Sequence, residues 1–366
     1  MNKIAVILYG NIRYDGRVQK EINTLKSNGK EVILFISDFE KDDKIENYNF
    51  KINIIRDKFK KRGVIYTLLN LLFFNISVYK KLKNQNIQYI HCNDLNTLLL
   101  AKYFSKVGKI IFDAHELYPE AQNNKIKMFI WNLIEKLNIK YVYKIIEPEI
   151  NRLEYFKNKY NLKNEKIILI ENFPKNKILD EEKKYFFKKY KYETNKKIAL
   201  YIGIIEKERN ILEILKSIKI NKDLVLFCIG KCPDINYKKE LEFFVKENNM
   251  EERVFFKENI PQTEVLEATN SADITFIFYQ NINLNNYYCA SNKLYEALNC
   301  GVKILTNDYP GIISVTKDIP NVYRIKNMTI KELEKGINHL LNVKEIKKTE
   351  FYWEKQETRF IKIYSE

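Results

Sequence analysis

The sequence has 366 residues, 45% of them hydrophobic, so it holds enough apolar material for two cores. Only 10 glycines and 7 prolines occur, which argues against long disordered linkers. The formal net charge of +16 would attract nucleotide diphosphates, anionic lipid or nucleic acid, but no RNA-binding, zinc-finger or helix-turn-helix pattern supports nucleic acid. The five cysteines are an odd number, which favours buried thiols in a reducing cytoplasm over a disulfide framework.

Short apolar runs alternate with amphipathic stretches through the first half of the chain. Val18, Ile22 and Leu25 follow the first run at helical spacing and predict one buried helix face. The first run is too short for the core of a signal peptide, and no run is long enough to span a membrane. Uninterrupted apolar runs are typical of parallel strands covered on both faces, and seven such strands are predicted: IAVILY, VILFIS, INII, IQYIHC, KIIFDA, YKIIEP and KIILIEN.

The alternation of apolar runs and amphipathic stretches is interrupted in residues 173–195, which are charged and irregular. We predict a linker there. Six further runs then predict a second sheet: KIALYIG, DLVLFCIG, RVFFKE, ITFIFY, VKILTN and NVYRI. The sequence therefore predicts an α/β protein with two Rossmann-like, doubly wound parallel-sheet domains, 1–172 and 196–345. Because ligands of such sheets bind beyond the carboxyl ends of the strands, we expect the site in a cleft that the two domains face.

The segment after ITFIFY has the features of an anion site. Ser291 is a good N-cap for the helix NKLYEALN, and a helix N-terminus offers unpaired N–H groups to a diphosphate. Lys293 in the first turn opposes the helix dipole unless an anion is bound. Glu296, one turn further, could accept hydrogen bonds from ribose hydroxyls. The alternative is an ordinary capped helix with Glu296 on a solvated face.

The stretch ASNKLYEALNCGVKILTND resembles the donor-site motif of GT-B-fold glycosyltransferases and is most similar to glycosyltransferase family 4. The resemblance extends over nearly the whole chain, because further segments match the family in order: DGRVQKEINTLKSNGKEVILF, IQYIHCND, KIIFDAHELYPE, ILIENFP, LYIGIIEKERNILEIL and WEKQETRFIKIY. The last of them resembles a C-terminal helix, placed here at 346–366, that crosses back to the first domain.

The resemblance implies which residues bind a nucleotide-sugar donor. Arg209 would pair with phosphate oxygens, and Glu296 would bind the nucleotide ribose. Two positions depart from the family pattern, because Ile204 replaces a usual arginine and Tyr288 replaces a usual glutamate. Lys207 or Lys293 could supply the missing positive charge. The complete predicted donor set is Gly203, Lys207, Arg209, Gly230, Tyr288, Ser291, Asn292, Lys293 and Glu296.

The segment KIIFDAHELYPEAQ places His115 and Glu116 at a strand end, and with Asp15 they are the candidate catalytic residues. In the resembling enzymes a histidine at this place lies near the donor sugar and the acceptor. The alternative for His115 is a loop histidine that holds backbone. Asp15 either contacts the acceptor hydroxyl or caps the helix that begins near Gly16. We expect His91 to pack beside Cys92, with lining of the cleft as the alternative.

Glycosyl transfer places extra negative charge on the leaving diphosphate, so preorganised cations and helix N–H groups there would stabilise the transition state. No Asp-x-Asp motif stands in a metal-binding context, and we expect no metal or cofactor. The resemblance implies retention of anomeric configuration. The predicted function is a glycosyltransferase acting on a glycan or lipid-linked acceptor in bacterial surface polysaccharide, capsule or lipopolysaccharide biosynthesis. The alternatives are a nucleotide-sugar 2-epimerase of the same fold and a non-catalytic binding protein.

Two stretches combine basic clusters with apolar residues: RDKFKKRGVIYTLLNLLFFNISVYKKLK and KIKMFIWNLIEKLNIKYVYK. Such segments could lie in the interface of an anionic membrane. The alternative is that both are helices of the first domain that bury one face. We therefore expect a cytoplasmic protein and leave open a peripheral contact with the inner face of the cytoplasmic membrane.

Overall fold

The computed structural model describes residues 3–37, 49–60, 63–122, 124–179 and 184–365, with only the backbone of Val64 and Phe187. The chain forms two compact units. Unit 1 comprises Met1–Asn172 and Trp353–Glu366, and unit 2 comprises Phe173–Tyr352. Among the described residues, no helix is long and apolar enough to cross a membrane.

In the described part of unit 1, seven strands form one parallel sheet in the order β3-β2-β1-β4-β5-β6-β7. Each predicted apolar run of the first half supplies one strand, and the central strands are buried because helices cover both faces. The strands are β1 (Lys3–Leu8), β2 (Glu31–Ile36), β3 (Lys51–Ile54), β4 (Tyr89–Asn93), β5 (Lys109–Asp113), β6 (Lys144–Glu147) and β7 (Ile167–Leu169).

The first helix of unit 1 buries the face that its spacing predicts, since Val18, Ile22 and Leu25 are all fully buried. Its side chains pack against the central strands and fix the loop that follows β1. The helices of this part of unit 1 are α1 (Gly16–Ser27), α2 (Val64–Leu82), α3 (Ala101–Phe104), α4 (Lys125–Asn138) and α5 (Ile150–Tyr160).

Unit 2 repeats the arrangement with six described strands in the order β10-β9-β8-β11-β12-β13, all parallel. These strands are β8 (Lys197–Ile202), β9 (Leu224–Ile229), β10 (Val254–Lys257), β11 (Ile274–Ile277), β12 (Lys303–Asn307) and β13 (Val322–Ile325). The predicted fold of two doubly wound parallel-sheet domains is confirmed.

The helices of unit 2 flank its sheet and lead into the loops that carry the candidate site. They are α6 (Tyr185–Tyr190), α7 (Ile211–Ile220), α8 (Ile235–Glu247), α9 (Gln262–Asn270), α10 (Leu284–Tyr287), α11 (Asn292–Cys300), α12 (Pro310–Thr316) and α13 (Ile330–Asn342). In both units the chain reverses the direction in which it adds strands, between β1 and β4 in unit 1 and between β8 and β11 in unit 2. Such switch points open a crevice beyond the strand ends.

The unit boundaries differ from the predicted ones. Residues 173–195 are not a free linker, because the Phe186 ring lies 4.5 Å from Phe227 of β9 and belongs to the core of unit 2. Tyr185 and Phe186 of this charged stretch are buried in that core. At the other end, Phe351 donates its backbone N–H to Asn299 at 2.9 Å, so residues 346–352 also pack with unit 2.

The last residues of the chain pack on unit 1, as the resemblance implies. A short 3₁₀ turn at Trp353–Lys355 leads into α14 (Glu357–Lys362). The indole N–H of Trp353 donates to the Thr24 hydroxyl of α1 at 2.8 Å, and that hydroxyl donates to Glu357 at 2.6 Å. Tyr364 is fully buried, so the C-terminal segment is an integral part of this core.

Candidate functional site

The donor-site residues of unit 2 lie in the loops at its switch point. Gly203 follows β8 with φ of +139°, and Gly230 follows β9 with φ of +155°. A Cβ on Gly230 would stand 1.8 Å from the Gly203 carbonyl oxygen, so glycine alone permits this approach of two loops. A Cβ on Gly203 would stand 1.9 Å from the Lys293 ammonium nitrogen. The backbone of the first loop is therefore held against the first turn of α11.

Lys293 is a cation without an ionic partner in this pocket. Within the part of the chain that the structure describes, its ammonium group makes no salt bridge with a carboxylate. Burial lowers the pKa of Lys293 and the nearby Arg209 lowers it further, to about 8, although Glu296 acts in the opposite direction. Two positive charges held together at a helix N-terminus favour the binding of an anion.

Arg209 ends a 3₁₀ turn at Lys207–Arg209, directly before α7. Its guanidinium carbon lies 4.3 Å from the centre of the Tyr279 ring, which stands just beyond β11. The Nη1 atom is buried and finds no hydrogen-bond acceptor among the described residues. Buried donors are nearly always paired in native proteins, so this nitrogen indicates a missing acceptor such as a phosphate oxygen.

Ser291 occupies the N-cap position of α11 but does not cap it, which corrects the sequence-based expectation. Its backbone is extended, with φ of −79° and ψ of 159°, yet its hydroxyl makes no bond to the helix N–H groups. The Oγ atom is buried and faces the Tyr279 hydroxyl instead of the helix. The start of α11 therefore retains donors that a bound group could satisfy.

Glu296 lies on the buried side of α11, so the alternative of a solvated face is wrong. Its side chain is 6% exposed, and Oε1 accepts a hydrogen bond from Gln262 at 3.4 Å. Gln262 is the first residue of α9, so two neighbouring helices hold this carboxylate. A carboxylate has two oxygens with about four acceptor positions, so it can bond more than one donor at a time.

Three predicted donor residues lie at the edge of this cluster or outside it. The Lys207 ammonium lies 3.8 Å from Glu240 of α8 and is exposed, so Lys207 does not replace the missing cation beside Arg209. Asn292 is the exposed first residue of α11. Tyr288 is half-buried, and its ring lies tilted against that of Tyr287 with ring centres 5.4 Å apart, a contact that a glutamate could not make.

Two residues that the sequence motifs do not single out hold the Arg209 turn in place. Tyr279 provides the ring on which the guanidinium lies. Gln280 binds the same turn, because its backbone N–H donates to the Glu208 carbonyl at 3.1 Å and its side chain donates to the Lys207 carbonyl at 3.1 Å. Both follow β11 at the switch point, a position that could have been noticed from the strand order alone.

Unit 1 holds a buried charge network beyond β4 and β5. Arg17 of α1 forms a two-pronged pair with Asp113, with Nε–Oδ2 and Nη2–Oδ1 distances of 2.8 and 2.9 Å. Its third nitrogen, Nη1, donates to the Ile170 carbonyl at 3.0 Å. The pair fixes α1 to the ends of β5 and β7, and Arg17 lowers the pKa of Asp113 against the effect of burial.

His115 extends this network toward solvent. Its Nε2 lies 3.1 Å from both Asp113 and Asn93, and its Nδ1 lies 3.5 Å from Asp94. Burial alone would lower the pKa of His115, but Asp94 and Asp113 raise it to about 10. The imidazole is therefore a cation at neutral pH and is not available as a general base. Arg152 donates to the His115 carbonyl at 3.0 Å, which fixes the loop.

His91 takes part in the same network instead of simply packing beside Cys92. Its ring is fully buried, with Nε2 3.3 Å from Glu21 and Nδ1 hydrogen-bonded to the Tyr364 hydroxyl. Burial alone would lower the pKa of His91, but Glu21 and Asp113 raise it to about 9. Glu21, His91 and Asp113 offer three possible metal ligand atoms within 4.8 Å. Arg17 already bonds both oxygens of Asp113, so the set fits a charge network better than a metal site.

The remaining candidates of unit 1 have local roles. Asp15 accepts a hydrogen bond from the Val18 N–H at 3.0 Å, so it caps α1, the second of the two roles considered for it. Glu116 is half-buried and close enough to Asp94 to raise the pKa of that carboxyl. His339 is exposed on α13, 5.0 Å from the Tyr323 ring, away from the strand ends.

The family described as glycosyl transferases group 1 matches residues 182–356, which include every donor-site candidate. No curated protein matches the sequence significantly. Solved structures match over the whole chain at low identity, which shows the fold. Sucrose-phosphate synthase from Thermosynechococcus elongatus has a TM-score of 0.78 at 15% identity, covering 100% of this chain and 98% of that one.

Two further structures have the same fold. HepE from Anabaena, solved in complex with UDP and glucose, has a TM-score of 0.77 at 12% identity and covers 100% of both chains. The lipopolysaccharide outer core galactosyltransferase WaaB has a TM-score of 0.66 at 15% identity and covers 99% of both chains. This chain therefore has the GT-B fold, and residues 182–356 of it match the model of the glycosyl transferases group 1 family.

Proposed function

We propose that this protein transfers a sugar from a nucleotide-sugar donor to a hydroxyl group of a glycan or lipid-linked acceptor. The observation that carries the proposal is the pair of cations, Arg209 and Lys293, held without carboxylate partners among the described residues at the start of α11. Charges of one sign cost free energy in a partly buried pocket unless a ligand of the opposite sign binds there. A diphosphate has the charge and the oxygen acceptors that this pocket lacks.

The proposed reaction breaks the bond between the anomeric carbon and the diphosphate, and the acceptor oxygen forms the new bond. Negative charge grows on the leaving oxygen, where the Lys293 ammonium, Nη1 of Arg209 and the α11 N–H groups would stabilise it. The acceptor proton leaves with the diphosphate or to solvent. No protein nucleophile is needed, which fits the proposed retention of configuration without a metal.

The candidate catalytic residues of unit 1 have different roles in this proposal from those that the sequence predicted. Because His115 is a cation whose ring nitrogens face carboxylates, we assign it to positioning the loop that follows β5. Asp15 caps α1 and keeps the loop after β1 in place. Glu116 is the remaining carboxylate candidate for contact with an acceptor hydroxyl.

We place the activity in bacterial surface polysaccharide, capsule or lipopolysaccharide assembly. Support comes from the fold shared with the galactosyltransferase WaaB. Another structure with this fold is a putative UDP-N-acetylglucosamine 2-epimerase from Listeria monocytogenes, with a TM-score of 0.65 at 11% identity. An epimerase would convert the nucleotide sugar without an acceptor, so product identity separates the two activities.

The first test is a screen of UDP, ADP and GDP for thermal stabilisation, since a ligand that binds only the folded state raises the melting temperature. UDP and ADP come first, because structures with this fold hold them. The sugar esters of the stabilising nucleotide are then incubated with glycan and lipid-linked acceptors, and the products are identified by mass spectrometry. We expect a glycosylated acceptor and a free nucleoside diphosphate. An epimerised nucleotide sugar, or no binding of any nucleotide, would overturn the proposal.

A further inference from the structure

Helix α4 exposes an apolar stripe to solvent. The helix begins well, because Asn124 accepts hydrogen bonds from the N–H groups of Ile126 and Lys127 at 2.8 and 3.2 Å. The stripe consists of five side chains three or four residues apart, which therefore share one side of the helix. They are between 38% and 70% exposed: Ile126, Phe129, Ile130, Leu133 and Leu137. Contiguous exposed apolar surface of this kind marks an interaction site.

The opposite side of α4 packs on unit 1. Trp131 and Glu135 are buried, and Glu135 is the only acidic residue of the helix. Its carboxylate accepts hydrogen bonds from Lys159, at 2.7 Å, and from the Tyr160 hydroxyl. The sequence thus places the one acid inward beside Trp131 and leaves five apolar residues exposed, whereas an ordinary surface helix exposes its charged residues.

The charged residues beside the stripe are all lysines. Lys125, Lys127 and Lys136 are exposed, and no acid of α4 shares their side of the helix. The surface is therefore apolar in the middle and cationic at its borders. A binding partner of this surface must offer an apolar region that is bordered by negatively charged groups.

The start of α2 lies beside this stripe and extends it. No charged residue occurs from 64 to 79, and Ile65, Leu69 and Leu72 are exposed at helical spacing. A groove of about 340 Å³ joins the two helices. Its lining residues from α2 and α4 are Thr67, Leu68, Leu71, Lys127, Ile130 and Trp131. The two helices therefore form one docking surface.

We infer that this surface, α4 with the start of α2, docks the protein on an anionic lipid bilayer. A bilayer offers an apolar interior beneath negatively charged headgroups, which matches five apolar side chains bordered by lysines. A second copy of this chain fits poorly, because packing α4 on α4 would bring lysines together without an exposed acid of the helix to pair with them. The inference stands on unit 1 alone and does not depend on the proposed donor site.

The groove also leads toward the acceptor candidates within unit 1. Tyr118 lines it and packs edge-on against Trp131 with ring centres 4.8 Å apart. Burial raises the pKa of Tyr118 to about 12, and the nearby carboxylates of Asp94 and Glu116 act in the same direction. A lipid-linked acceptor held in the bilayer would therefore meet the protein on the side of unit 1 that carries these residues.

The test is co-sedimentation of the full chain with phosphatidylcholine vesicles that contain phosphatidylglycerol or lack it. We expect binding to the anionic vesicles that weakens with added salt, because screening reduces the lysine contribution. The double substitution Phe129→Ser with Leu133→Ser should lower the bound fraction at least about tenfold. The matched control is Ile235→Ser with Phe243→Ser, which removes two exposed apolar side chains from α8 of unit 2.

A second variant tests the charge. Replacing Lys125 and Lys136 by glutamate keeps the apolar stripe and should abolish the preference for anionic vesicles. A wild-type protein that stays in the supernatant would overturn the inference, as would equal losses in the α4 and α8 variants. Sedimentation velocity tests whether a second copy of the chain occupies the surface instead. A wild-type dimer that the α4 substitutions convert to a monomer would assign the surface to that second copy and overturn the inference. Nucleoside diphosphate binding, measured on the same variants, reports separately on the donor site.

Discussion

Replacing Lys293 by methionine should stabilise the empty protein and remove its response to nucleoside diphosphates. Methionine has a similar length but no charge, so the change removes the ammonium group and leaves the apolar part of the side chain. In the empty protein that group lies partly buried beside Arg209 without a carboxylate partner among the described residues. The same group would bind the diphosphate when a ligand is present.

The magnitude follows from the lysine pKa, which falls from 10.5 to about 8 in the folded state. Each unit corresponds to about 1.4 kcal/mol, so the charged form costs the folded state at most about 3 kcal/mol. Below pH 8 the lysine is protonated in both states and the cost is present. It disappears as pH rises from about 8 to 10.5. At neutral pH, Lys293→Met should therefore raise the free energy of unfolding by about 1 to 3 kcal/mol.

The assay is thermal unfolding with and without the nucleotide that stabilises the wild type. A gain of this size would raise the melting temperature by roughly 2 to 10 °C. Loss of a charge-assisted contact of about 1.5 to 3 kcal/mol should weaken nucleotide binding ten- to a hundredfold. Lys335→Met is the matched control, because Lys335 is exposed on α13 of the same unit.

An unchanged ligand-induced shift in Lys293→Met would refute the reasoning, because the ammonium group would then make no contact with the nucleotide. A loss of stability without ligand would refute it in another way, since the lysine would have an ionic partner in the folded state. Neither result is expected from Lys335→Met, which should match the wild type in both measurements.

Three further predictions follow from the same sites. Glu296→Ala should weaken nucleotide binding by about 1.5 to 3 kcal/mol, and unchanged affinity by calorimetry would remove Glu296 from the ribose. Binding at pH 8 should take up a proton as the diphosphate restores the Lys293 charge, and equal heats in buffers of different ionisation enthalpy would contradict this. His91, with its pKa raised from 6.5 to about 9, adds stability below pH 6.5 that is lost by about pH 9. His91→Gln should flatten that dependence in urea titrations.

The sheets could be predicted from the sequence because every strand is a short apolar run between amphipathic stretches. Each run of the first and second halves became a strand of the predicted sheet. The boundaries were less predictable. Residues 173–195 are charged overall, yet Phe186 reaches a pocket on the sheet that sequence periodicity does not show. The loss of regular apolar spacing in this stretch correctly indicated a connection between the two sheets. It gave no sign that the connection packs on the second sheet.

The site could be predicted in outline and not in its contacts. The helix at α11 and the two glycines stand where the motif indicates, since strand ends and glycines are local features of the sequence. The direction of a long side chain is not local. Lys207 turns to Glu240 on α8, and Ser291 leaves its own helix uncapped. The ion pair between Arg17 and Asp113 joins residues 96 positions apart, so the local spacing of residues in the sequence could not predict it.

The two units use buried charge in opposite ways, and this difference distinguishes scaffold from binding pocket. In unit 1, Arg17 and His91 lie against carboxylates, so their charges are compensated without any ligand. Such pairs fix the loops and add little attraction for an incoming ion. In unit 2, Arg209 and Lys293 lie against an aromatic ring and a glycine backbone. Because no carboxylate among the described residues forms a salt bridge with either cation, a bound anion can compensate them. In the proposed reaction the leaving diphosphate would be bound more tightly as its negative charge grows.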